Sequence, residues 1–175
     1  MTTPDSIILI GYRGTGKTSV ARLLADKLGW SWVDADEYLE QLCGRTIRAI
    51  FQTEGEAGFR EREAAVLAEL CGREHQVLAT GGGAVLRADN RERLRRSGLV
   101  VWLTADAETI WQRLQADVTT AERRPALTVG GRAEIEDLLS RREPFYRACA
   151  QLVIDTVGRT PADVADLILT YRAAG

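Results

Sequence analysis

The residues best placed to do chemistry lie in one short stretch, Gly11-Tyr12-Arg13-Gly14-Thr15-Gly16-Lys17-Thr18. It reads G-x-x-x-x-G-K-T, whose glycines let the backbone curl so that successive N–H groups face a phosphate. Lys17 is expected to reach the outer phosphates, and the Thr18 hydroxyl to serve Mg²⁺. The flanks suit the motif. Ile7 to Ile10 is an apolar run with the character of a buried strand. Val20, Leu23, Leu24 and Leu28 recur at helical spacing, and Gly29 supplies a stop. The helix start adds its partial positive charge at the loop.

Other stretches carry charge where a ligand of that loop could meet it. Asp34-Ala35-Asp36 closes the second apolar run. Either carboxylate can cap the following helix, or one can face a metal and the other an acceptor hydroxyl. Gly81-Gly82-Gly83 closes the third run. Three glycines are expensive in conformational entropy; they read as a backbone that something approaches closely, or as an oversized flexible turn. Arg60 and Arg62 sit among glutamates at helical spacing, which favours a solvent face for Arg62 and leaves Arg60 open. The basic run from Asn90 to Ser97 reads as a solvated helix. Gln115 to Arg124 loses apolar periodicity, so the segment is a loop or a flap that brings Arg123 or Arg124 onto phosphates.

These residues need elements to hold them. Short apolar runs at Ile7–Ile10, Ser31–Val33, Val77–Thr80, Leu99–Leu103 and Leu152–Ile154 alternate with helical patterns. Near-continuous apolar strands are those of a parallel sheet covered on both faces. The fold class is therefore α/β, a three-layer, doubly wound, five-stranded parallel sheet flanked by helices. Ligands in such sheets bind beyond the carboxyl ends of the strands, where the P-loop, the aspartates and the glycine triplet fall. Gly55 and Gly58 interrupt the helical run before Phe59. Thr104 is the expected cap of the helix carrying Asp106 and Glu108, and Pro144 is expected to disturb the helix of Ile135, Leu138 and Leu139. Thr160-Pro161-Ala162-Asp163 is a strong helix start.

Composition bounds the rest. The chain has 175 residues, 45% hydrophobic and 27% charged, with a net charge of −2. That balance suits a soluble globular protein and argues against a nucleic-acid surface. Cys43, Cys71 and Cys149 show no metal spacing and read as buried thiols of a reducing cytosol. Met1 to Ser6 has no signal-peptide character, and no run is long enough to span a membrane. The expectation is a cytoplasmic monomer.

The assembled motifs resemble the shikimate kinase family. The specific part is Arg60-x-x-Glu63, then Leu67, then Val77-Leu78-Ala79-Thr80-Gly81-Gly82-Gly83-Ala84-Val85. Asp34-x-Asp36, Phe59-Arg60, Arg124-Pro125 and Arg142-x-Pro144-Phe145-Tyr146 match in type and order. The resemblance implies one P-loop kinase domain over 1–175, with a substrate-binding segment at about 34–62 and a lid at about 115–127. It implies ATP as co-substrate, Mg²⁺ as cofactor and shikimate as acceptor. Asp36 would hold the reacting hydroxyl and act as its base. Arg60, Arg142 and Gly81 to Gly83 would bind shikimate, its carboxylate on the two arginines. Gly14, Thr15, Gly16, Lys17, Thr18 and Ser19 would cradle the phosphates. Thr18 and Asp34 would serve Mg²⁺, and Arg124, or Arg123 in its place, would close from the lid. Arg113, Arg159 and Pro161 would border the adenine. Where the family often has Leu-Leu after Arg-Pro, this chain has Ala126-Leu127-Thr128.

Two other readings stay open on the residues alone. Another small-molecule P-loop kinase would not need Asp36, Arg60, Arg142 and the glycine triplet in one site. A nucleotide-dependent switch would not need a carboxylate poised at an acceptor.

Overall fold

The computed structural model describes residues 5–117 and 130–175. The five apolar runs become strands β1 (Ile7–Ile10), β2 (Ser31–Asp34), β3 (Gln76–Ala79), β4 (Leu99–Thr104) and β5 (Leu152–Asp155). They form one sheet in the order β2-β3-β1-β4-β5, every neighbouring pair parallel. The helices are α1 (Lys17–Leu28), α2 (Ala35–Cys43), α3 (Ile47–Leu70), α4 (Ala88–Ser97), α5 (Ala107–Ala116), α6 (Gly131–Cys149) and α7 (Pro161–Ala174).

Alternation along β1 divides the core. Ile7 and Leu9 face α1 and α7, with Val20, Leu24, Val164 and Ile168. Ile8 and Ile10 face the other layer, with Leu39, Ile50, Phe59, Leu67 and Tyr146 from α2, α3 and α6. All four β1 side chains are buried, and each such burial contributes about 1.5–3 kcal/mol. The register then levels the carboxyl ends: Leu9 and Asp34 both pair with Ala79, and Ile10 pairs with Trp102.

Several local expectations change. The break before Phe59 is at Gly55 alone (φ 69°, ψ −176°), while Gly58 stays helical. A β-carbon at Gly58 would lie 2.5 Å from that of Glu54, so this glycine serves close packing. Glu54 is held by Arg45 at 2.5 Å and Arg62 at 2.7 Å, joining the start and end of the bend. Pro144 does not interrupt α6. The backbone bond it forfeits would go to the carbonyl of Ser140, an exposed residue. The cap of α5 is Asp106, accepting from the Thr109 N–H at 2.7 Å, because Thr104 is still in β4. α5 runs to Ala116, past the expected start of the lid. The basic helix α4 is not simply solvated. Arg91 donates to the Val85 and Leu86 carbonyls and lies 4.9 Å over Phe145, fastening α4 to the segment before it and to α6.

Cys71 and Cys149 are buried free thiols, as expected, whereas Cys43 is half-buried. Among the described residues no helix is long and apolar enough to cross a membrane. Arg123, Arg124 and most of the expected lid lie outside the described residues.

Gly11 connects this frame to the loop. Its φ is 146°, and a β-carbon there would strike the carbonyl oxygen of Leu103 on the neighbouring strand. That obstacle is backbone, so relaxation is costly. Gly11→Ala should lose about 2–4 kcal/mol of folding stability and most ATP binding, measured by denaturant titration and calorimetry. A wild-type midpoint would contradict this account of the loop's anchor.

Candidate active site

The loop after β1 is held from within. Gly14 and Gly16 take left-handed φ values of 79° and 90°, which an ordinary side chain would resist. The Thr15 hydroxyl donates to the Tyr12 carbonyl at 2.8 Å. The Lys17 ammonium, itself buried, donates to the carbonyls of Gly11 and Tyr12, both at 2.8 Å. The charge is thereby kept over the loop at the start of α1.

Asp34 does both jobs considered for it. Its Oδ1 accepts from the N–H groups of Asp36 and Glu37 and caps α2. Its Oδ2 accepts from the Thr18 hydroxyl at 2.8 Å. A hydroxyl beside a carboxylate at the P-loop is a hard oxygen pair that fits Mg²⁺, which keeps several waters and takes few protein ligands. Among the described residues no group of three or more His, Cys, Asp or Glu could hold a metal.

Two clefts border the loop, and a third adjoins the first of them at the glycine triplet. One of about 350 Å³ is lined by Lys17, Thr18, Ser19, Asp34, Asp36 and Gly82, with Arg13 at its wall. A second, also about 350 Å³, is lined by Gly14, Thr15, Arg113, Thr156, Arg159 and Pro161. The third, about 100 Å³, lies among Ile47, Phe59, Arg60, Glu63, Gly81 to Gly83 and Arg142. Gly14 and Gly16 border the first two and Gly82 borders the first and third, so the clefts run in one line. Arg113 braces that line, donating to the Gly14 carbonyl at 3.2 Å and to Thr156 at 3.0 and 3.2 Å. Arg159 donates to the Asp155 carbonyl at 3.0 Å, and Pro161 opens α7.

The glycine triplet explains itself at side-chain level. None of the three has a positive φ, so left-handed freedom is not the reason for them. A β-carbon at Gly81 would lie 2.8 Å from Asp36 Oδ1. One at Gly82 would lie 3.4 Å from Arg142 Nη1. One at Gly83 would lie 2.6 Å from Arg60 Nη1 and 2.7 Å from its Cζ. Gly81 faces the carboxylates of Asp36 and Glu63, and Gly82 and Gly83 face the guanidiniums of Arg142 and Arg60, so these charges lie side by side.

Two neighbours of this row were not singled out from the sequence as site residues. Glu63 is buried and pairs with Arg60 at 2.7 Å. Burial pushes its carboxyl above the usual range, against the pull of Arg60. The i, i+3 spacing from Arg60 was the available signal, but the surrounding glutamates suggested a wet face. Tyr146 is buried, and its hydroxyl donates to the Gly82 carbonyl at 2.5 Å.

Fold and P-loop together define a P-loop kinase, with a further cleft at the glycine triplet. A family model described as shikimate kinase matches residues 13–172, and the chain belongs to that family. It is 44% identical over 167 residues to a shikimate kinase of Rhodopirellula baltica, covering 95% of this chain and 89% of the relative. It is 46% identical over 165 residues to one of Symbiobacterium thermophilum, covering 94% of each. A solved shikimate kinase from Acinetobacter baumannii in complex with shikimate superposes with a TM-score of 0.91 at 42% identity, covering 98% of this chain and 94% of that one. A gluconokinase from Sinorhizobium meliloti, at 19% identity and a TM-score of 0.58 over 97% and 92% of the two chains, shares the fold.

Two expectations follow. Gly83→Ala must push the Arg60 head away, a movement its flexible side chain allows. Melting should change little while the KM for the acceptor rises about tenfold or more, the scale of a lost hydrogen bond to a charged group. An unchanged acceptor KM would remove Arg60 from the site. Desolvation pushes the Tyr146 phenol up from 10.0 to about 12, against the opposing charge of Arg142. Between those values the unfolded chain has released this proton and the folded chain keeps it, so folding stability falls as pH rises from 10 toward 12. The wild-type protein should lose more stability over that window than Tyr146→Phe, measured by urea titration at each pH.

Proposed function

We propose that this chain transfers the γ-phosphoryl group of ATP to the 3-hydroxyl of shikimate, giving shikimate 3-phosphate on the route to chorismate and the aromatic amino acids. The observation that carries the reading is the row of Asp36, Arg142 and Arg60 on Gly81, Gly82 and Gly83 beside the P-loop cleft. Shikimate is a ring with a carboxylate at one end and hydroxyls at the other. Two planar guanidiniums suit the carboxylate, which they bind through paired hydrogen bonds. Held by that end, the molecule turns a hydroxyl toward Asp36.

Phosphoryl transfer depends on positioning and charge neutralisation more than on covalent chemistry. The amides from Gly14 to Ser19 and the Lys17 ammonium stabilise charge on the transferred group. Asp36 orients the acceptor hydroxyl and takes its proton as the bond to phosphorus forms. Thr18 would hold Mg²⁺ directly and Asp34 through water. When bound, the ion neutralises and orients the phosphate oxygens. Arg113, Arg159 and Pro161 border the adenine. Arg124 is assigned to the lid at about 115–127, with Arg123 as its alternate, and residues 34–62 form the substrate-binding segment. We further infer a monomer of the cytoplasm with no nucleic-acid or membrane partner, in keeping with the free thiols and the net charge of −2. The likeness to a gluconokinase extends to fold alone.

A coupled ADP-release assay over shikimate, gluconate and nucleoside monophosphates tests the reading. ADP release should require shikimate and Mg²⁺. Release independent of shikimate, or faster with gluconate, would overturn it. Asp36→Asn keeps size and backbone geometry and removes the base. It should fold and bind ATP normally while turnover falls by about 10²-fold or more. A wild-type rate in the folded variant would leave Asp36 no part in the chemistry.

A further inference from the structure

Tyr146 is nearly inaccessible, its ring stacked on Trp102 with centroids 5.4 Å apart and planes at 22°. Its hydroxyl reaches across 64 positions of sequence to the Gly82 carbonyl. The carbonyls on either side are also engaged. Gly81 accepts from the Ala84 N–H and Gly83 from the Leu86 N–H, both at 3.1 Å. All three carbonyls of the triplet are therefore tied back into the protein. The amides are the opposite case: among the described residues, those of Gly81, Gly82 and Gly83 donate to no protein acceptor.

We propose that the Tyr146 hydroxyl is a positioning residue for the acceptor carboxylate, holding the Gly82–Gly83 peptide so that the amides of the glycine loop face the cleft between Arg60 and Arg142. The peptide is planar and trans, so a carbonyl fixed on one side aims the N–H of the same plane to the other. Successive amides turned to one side make an anion-binding concavity. The outer two carbonyls are held by local turn bonds, which the chain makes wherever it turns. The middle one depends on a side chain from α6. Between two glycines a peptide plane rotates at little steric cost, so this plane needs the phenol. Arg142 lies four residues before Tyr146, one turn along the same helix face. The helix thereby delivers a guanidinium beside Gly82 and a donor to its carbonyl together.

The proposal rests on the acceptor site described above, and the test separates the two. Tyr146→Phe keeps the ring and its stacking and removes the hydroxyl. The shikimate KM should rise about tenfold, with kcat and the ATP KM within about threefold of wild type. Trp102→Phe disturbs the same packing and leaves the hydroxyl. It should lower the melting temperature without moving the shikimate KM. Equal KM shifts in both variants, or none in Tyr146→Phe, would overturn the positioning role and leave the kinase reading intact. Should Tyr146→Phe fail to fold, amide spectra of the wild-type protein decide. Shikimate should shift the Gly82 and Gly83 signals and slow their exchange, and unchanged signals at saturation would overturn the proposal. Wild-type protein that neither binds nor phosphorylates shikimate would bring down both readings.

Discussion

Every charged group of the site stands where the buried strand β1 allows it. Ile7 to Ile10 pair in parallel with β3 on one side and β4 on the other. Parallel pairing points all carboxyl ends the same way, and the register makes them level. Gly11, the first residue beyond β1, passes so close to the Leu103 carbonyl that no β-carbon fits. The P-loop is thus placed by backbone contact. Asp34, the last residue of β2, arrives beside Thr18 for the same reason, since Asp34 and Leu9 share Ala79 as their partner in register.

Charge in so confined a place is tolerable only when each group has a partner. Lys17 is satisfied by the loop's own carbonyls, Asp34 by a hydroxyl and two amides, and Arg60 by Glu63. Such pairs do not make the fold stable in themselves, because the desolvation cost is of the same order as the attraction. Their effect is positional. A guanidinium already paired with Glu63 and laid against Gly83 is oriented before a ligand arrives, which reduces the ordering a ligand must impose. The raised carboxyl of Glu63 records the cost of burial at this position.

The helices beyond the sheet serve the same end with different means. α3 bends once, at Gly55, and Glu54 between Arg45 and Arg62 braces the bend. Phe59 and Arg60 therefore leave the bend in a set direction, one toward the core and one toward the glycine row. α6 supplies Arg142 and Tyr146 from one face, and α4 is fastened near it by Arg91. Arg113 brings α5 to the loop and to the end of β5.

Local chemistry was legible in the sequence. The P-loop, the five strands and the capping box at Thr160 all follow from short-range spacing, because glycine freedom, helix caps and burial patterns act over a few residues. The need for close approach at Gly81 to Gly83 was legible too, though not what approaches. That Gly81 meets Asp36, Gly82 meets Arg142 and Gly83 meets Arg60 is decided by contacts between residues dozens of positions apart. The same holds for Arg62, half-buried on Glu54, against the burial of Glu63, for Arg91 turning inward, and for Tyr146 on Gly82. A periodic pattern says which face of a helix is apolar. Only the packed neighbours decide which polar group on its edge is enclosed, and with which partner, because the cost of burying a charge depends on the atoms around it.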